Sequence, residues 1–84
     1  MSTARIEQAI FALLSRRKPG ATIRPSEVAR LLAAAEGEDA WRALMEPVRE
    51  TARGLVRAGR LLVTQGGVPV DPASAKGAIR LRLP

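Results

Sequence analysis

The chain has no cysteine, no histidine and no tyrosine, and it holds one tryptophan and one phenylalanine among its 84 residues. Without Cys there is neither a disulfide framework nor a thiolate metal site, and without His the commonest transition-metal ligand and neutral-pH proton shuttle are missing. Zinc and thiol chemistry are excluded. The Ser and Thr residues have no imidazole to activate them, and Asp71 stands before Pro72, where capping accounts for it. No catalytic constellation emerges, so an enzyme is not expected, and neither is a cofactor. The longest apolar run, Ala9 to Leu14, is far shorter than the roughly 20 residues of a spanning helix. With no secretory cleavage pattern either, the expected location is the cytoplasm, away from membranes.

Scarce aromatics mean that any core is built from Leu, Ile, Val, Ala and Met. A chain of 84 residues is the size of one domain, taken as residues 1–84, and a domain this small is modestly stable. A monomer or weak homodimer is expected, with dimerisation as a supplement to the core.

Acidic residues are also in short supply, 8 against 14 basic ones, which leaves a net charge of +6 and an isoelectric point near 11.5. Such a domain attracts polyanions. The charge is segregated: residues 1–35 carry +4, residues 36–50 carry −3 and residues 51–84 carry +5. Twelve of the basic residues are Arg, which suits bidentate phosphate contact but also follows from a general Arg bias in composition. Net charge of this size also serves solubility alone.

Ile6, Ala9, Ile10, Leu13 and Leu14 recur at the spacing of one helix face, which predicts a first helix over about 3–17, ended by Lys18-Pro19-Gly20. Ala21-Thr22-Ile23 is extended and too short to stand alone, though it can add an edge strand to a hairpin. Ser26 as a cap, or Pro25 in the first turn, starts a second helix over about 25–35, with Val28, Leu31 and Leu32 inward. Gly37 stops it, and Asp39 is placed to cap a third helix over about 40–58. That helix carries Trp41, Leu44, Met45, Val48, Ala52, Leu55 and Val56 on one stripe, with Trp41 expected in the core. Pro47 predicts a kink or short break near Met45, and Gly59 a left-handed cap. Beyond Arg60 the period becomes two, so residues 61–64 should pair antiparallel with the alternating 79–83, with Gly66-Gly67 as a turn and residues 71–77 as a single helical turn or tight loop.

Helix, short strand, helix, tight turn, longer helix and a hairpin with an extended tip is the element order of winged helix-turn-helix domains. The chain resembles them over nearly its whole length, above all at residues 23–32, 55–63 and 79–83. It is also similar to a small bacterial family of uncharacterised winged-helix proteins, a domain of unknown function. That second likeness runs through Trp41-Arg42-x-Leu44-Met45, Val48-Arg49, Thr64-Gln65-x-Gly67, Val70-Asp71-Pro72 and Lys76-Gly77-x-Ile79-Arg80. The resemblance implies an α+β fold of three helices with a C-terminal antiparallel β-hairpin wing. It also implies that the third helix enters a major groove while the wing follows the backbone.

The candidate nucleic-acid contacts follow from that frame. Arg42, Arg49, Arg53 and Arg57 lie off the apolar stripe of the third helix, the last three at i+4 spacing, although Glu46 and Glu50 are interleaved and can make them an ordinary solvated face. Arg80 and Arg82 project opposite Ile79, Leu81 and Leu83 with no acid in their strand, and Lys76 adds charge at the tip. Edge protection is the plainer use of such charges. Arg16-Arg17-Lys18 complements a helix dipole, and Arg24 and Arg30 are unremarkable positioning residues. Gly66-Gly67 is a turn rather than an anion cradle. The expected function is that of a small basic module binding nucleic acid, duplex DNA before RNA. The alternatives are a protein-interaction module, favoured by the acidic residues 36–50, and RNA or ribosome association.

Overall fold

The computed structural model describes the backbone of residues 1–84 and every side chain except that of Glu38. Helix α1, Thr3–Ser15, begins where the Ser2 hydroxyl accepts the Arg5 N–H at 3.3 Å, and it turns Ile6, Ala9, Ile10 and Leu14 inward. Helix α2, Pro25–Ala33, has Pro25 in its first turn, where the missing N–H costs nothing, and the Glu27 carboxylate reaches back to accept the Arg24 N–H at 2.7 Å. Its buried stripe is Val28, Ala29, Leu32 and Ala33. Leu31, expected inside, is 42% exposed because the small Ala29 and Ala33 let α2 approach its neighbours on a face that leaves Leu31 outside.

Three expectations for the third helix are corrected. Asp39 does not cap it: the short 3₁₀ turn Glu38–Ala40 precedes helix α3, Trp41–Arg57, and Ala40 takes the cap position without a side-chain bond. Of the kink or short break expected near Met45, the break is absent, for α3 runs continuously through Pro47. Ala43, whose carbonyl loses its partner, lies on the exposed side where water can take the bond. Trp41 is half-buried rather than enclosed, since it is the first residue of α3 and only one side of it reaches the core. The far end of α3 follows the expected rule. Gly59 adopts φ +74°, and the Arg60 and Gly59 N–H groups close back on the carbonyls of Leu55 and Val56.

The C-terminal third forms a three-stranded antiparallel sheet in the order β2-β1-β3, with β1 Leu62–Gln65, β2 Val68–Pro69 and β3 Arg80–Arg82. Val63 stands opposite Leu81 and Thr64 opposite Arg80, the pairing expected from the alternating pattern. The short β2 was not foreseen. It follows from Gly66 and Gly67, whose φ values of +56° and +81° suit the two-residue turn that folds a strand straight back on itself. Ile23 and Leu81 exchange both backbone bonds, at 2.9 and 2.8 Å, so the extended residue before α2 is tied to β3.

Ile10, Ile23, Val28, Val48, Val63 and Leu81 meet in one core that all three helices and the sheet share. Leu83, expected inward, is half-exposed because pairing stops at Arg82. No helix is long and apolar enough to cross a membrane.

Candidate nucleic-acid interface

The core fixes which parts of the surface adjoin. Because Ile23 is bonded to Leu81, the start of α2 lies beside β3, and α2 in turn packs on α3. An open groove of about 300 Å³ lies where these elements meet. Its apolar floor includes Pro25, Met45 and Ile79, and its rim carries Arg24 ahead of α2, Arg49 from α3 and Arg80 from β3.

Charge bookkeeping makes this groove distinctive. Glu27 bonds Arg17 at 3.0 Å and, at the groove's own edge, the backbone N–H of Arg24 at 2.7 Å, while Glu46 and Glu50 each hold Arg53 at 2.7 Å. Among the described residues no acidic side chain lines the groove, and none forms an ion pair with Arg24, Arg49 or Arg80. Arg80 has only a long contact, 3.5 Å, to the Thr22 hydroxyl.

The residues expected from sequence divide accordingly. Arg49 and Arg80 come together, joined by Arg24, which its position in the sequence alone had made unremarkable. Arg82 lies one step beyond on the same strand, half-buried, with its Nε donating to the Leu83 carbonyl at 3.0 Å. Lys76 is exposed at the tip of the hairpin. The Gln65 side-chain amide donates to the carbonyls of Lys76 and Ala78, at 2.6 and 3.2 Å, and so anchors the stretch that leads into the groove rim at Arg80.

Arg53 is taken out of the set. Its guanidinium bonds Glu46 and Glu50, each at 2.7 Å, and this pairing holds the Glu50 carboxyl below its ordinary value, chiefly through the hydrogen bond from Arg53. The Arg53 guanidinium is held above its own ordinary value by the same two acids. Arg57 faces another way. It lines a larger depression of about 360 Å³ between α1 and α3, where Glu7 and Glu50 face Arg57 and Arg60 and both signs of charge are mixed. The i+4 row of Arg49, Arg53 and Arg57 therefore does not act as one stripe. Each i+4 step overshoots a helical turn by about 40°, so the row winds about 80° around α3.

Arg42 is engaged with an aromatic face. Its guanidinium carbon lies 4.7 Å from the Trp41 ring centroid, and that of Arg30 lies 4.2 Å from it. Such stacking leaves the charge in place while orienting the group. Arg60, 53 residues along the chain from Glu7, pairs with it at 3.2 Å. Among the described residues no group of three acids converges as a metal site.

Fold and site together define a small α+β domain, three helices and a C-terminal antiparallel sheet, with one unneutralised arginine groove. Residues 3–84 match the family described as "Protein of unknown function (DUF3253)", and the chain belongs to that family. A comparison with curated proteins finds no match.

Proposed function

We propose that this is a winged-helix module that binds nucleic acid, duplex DNA foremost, without catalysing a reaction. The element order supports the architecture, with the Ile23 bridge in the place of the short first strand and residues 66–79 as the wing. The observation that carries the functional reading is the groove in which Arg24, Arg49 and Arg80 converge with no acid among the described lining residues. It lies between α3 and the wing, the two elements that meet the duplex in domains of this architecture. Clustered arginine is the chemistry of backbone contact, and such contacts position a protein without reading sequence. No Asn or Gln lies on α3, so base readout through it would fall to Arg.

The test is a titration at several salt concentrations with duplex DNA, single-stranded DNA and structured RNA in parallel. Binding to duplex that weakens steeply with salt supports the reading; absence of binding to all three at low ionic strength ends it. A second reading, a protein-interaction module, is favoured by Val68. That residue is 61% exposed on β2, the outermost strand of the sheet, where a partner strand could add. A protein partner becomes the better proposal if all three nucleic acids fail.

A further inference from the structure

We propose that the arginine groove is a seat for a phosphomonoester, the dianionic phosphate found on a mononucleotide or at the end of a nucleic-acid strand. The inference rests on the nucleic-acid reading for the source of the phosphate, and it names the group that the groove takes.

Three features carry it. The first is charge. Three arginines, Arg24 ahead of α2, Arg49 on α3 and Arg80 on β3, line one groove, with no acidic side chain among its described lining residues. An internal phosphodiester brings one negative charge, whereas a phosphomonoester brings about 1.5 to 2 near pH 7 and offers three equivalent oxygens. Three guanidinium forks are better matched by the second, since each can take an oxygen.

Shape is the second. A continuous backbone needs no more than a basic stripe, and a concavity of about 300 Å³ has room for a phosphate group to enter as well. That volume lies at the lower end of small-ligand sites, large enough for a phosphate and part of the group it is bonded to. The third is the floor. Pro25, Met45 and Ile79 place an apolar surface beside the cations, so a sugar or base can be covered while its phosphate meets the arginines. The larger depression between α1 and α3 is concave as well but lacks the unopposed positive charge, because Glu7 and Glu50 share it with Arg57 and Arg60.

The experiment uses the full chain and five probes. Adenosine monophosphate, cyclic adenosine monophosphate and adenosine separate monoester, diester and no phosphate on one base and sugar. A short single strand with either a 5′-phosphate or a 5′-hydroxyl separates the sources. Titration followed by NMR should show the monophosphate shifting the side-chain signals of Arg24, Arg49 and Arg80. The cyclic diester should bind about tenfold more weakly, the loss expected for one charge-assisted contact, and adenosine should not bind. Arg49→Gln and Arg80→Gln should each remove that preference, Arg57→Gln should not, and thermal melts check that all three variants fold.

Tighter binding of the 5′-phosphorylated strand identifies the strand end as the source; equal binding of the two strands beside tight monophosphate binding identifies a free mononucleotide. The proposal is overturned if the monophosphate binds no better than the cyclic diester, or if Arg49→Gln and Arg80→Gln leave its affinity unchanged. Its failure is separable from that of the wider reading. Salt-dependent duplex binding without monoester preference removes the seat alone. Monophosphate binding without affinity for any strand or duplex removes the nucleic-acid reading and leaves the seat.

Discussion

Replacing Arg49 and Arg80 together by Gln removes two of the three charges at the groove while keeping most of each stem. Both side chains lack an ion pair among the described residues, so each is free to displace a counterion from a phosphate, and the fold should survive their loss. On duplex DNA each contact contributes about 0.9 to the slope of log K against log salt, so the double variant should bind with a slope shallower by about 1.8. Between 50 and 200 mM salt that difference amounts to about tenfold in affinity, well within reach of an anisotropy titration on a labelled duplex. The matched control is Arg53→Gln. Its side chain is only 24% exposed and its guanidinium is already bonded to Glu46 and Glu50, so it has no counterion to release and the slope should not move. If the double variant keeps the full slope, or if Arg53→Gln flattens it equally, the assignment of the groove as the contact surface is wrong.

Gln65→Ala removes two bonds that anchor the stretch leading to β3, and it should cost about 1 to 3 kcal/mol in urea denaturation while weakening duplex binding as the Arg80 rim loosens. Trp41→Ala should cost less than the 3 to 5 kcal/mol of a fully enclosed aromatic, about 1 to 3 kcal/mol, because the ring is half-buried. Its fluorescence should shift when Arg30→Gln or Arg42→Gln removes a stacked guanidinium. Glu50 has a depressed folded-state value caused first by the Arg53 hydrogen bond, so its stabilising effect is present above the ordinary glutamate range and is lost as pH falls through the lowered value. Thermal melts from pH 6 down to pH 2 should therefore fall less steeply for Glu50→Gln than for the parent chain.

Much of the fold was readable from local pattern. The 3.6 period of Ile6, Ala9, Ile10 and Leu14 and the alternation of Ile79, Arg80 and Leu81 each depend only on which face is buried, and burial sets period. The departures occur where local signals compete. Asp39 is a good cap residue, yet the 3₁₀ turn takes the helix start; Leu31 is apolar, yet Ala29 and Ala33 fill the packed face. Trp41 belongs to the apolar stripe, but a residue in the first turn of a helix has packing partners on one side only.

By itself the amino-acid sequence determined the absence of thiol and imidazole chemistry, the excess of positive charge, the three helices and the pairing of β1 with β3, because each follows from composition or from a short-range period. Only the tertiary structure decided which arginines stay free. Neutralisation depends on side chains approaching within a few ångströms, and that approach joins Glu7 to Arg60 across the chain and brings Arg24, Arg49 and Arg80 from separate parts of the chain to one groove, whereas the loss of Arg53 to Glu46 and Glu50 is local to α3. Charge interactions fall off with distance in space and are blind to separation along the chain, so a count of arginines could not tell a neutral surface from a binding one.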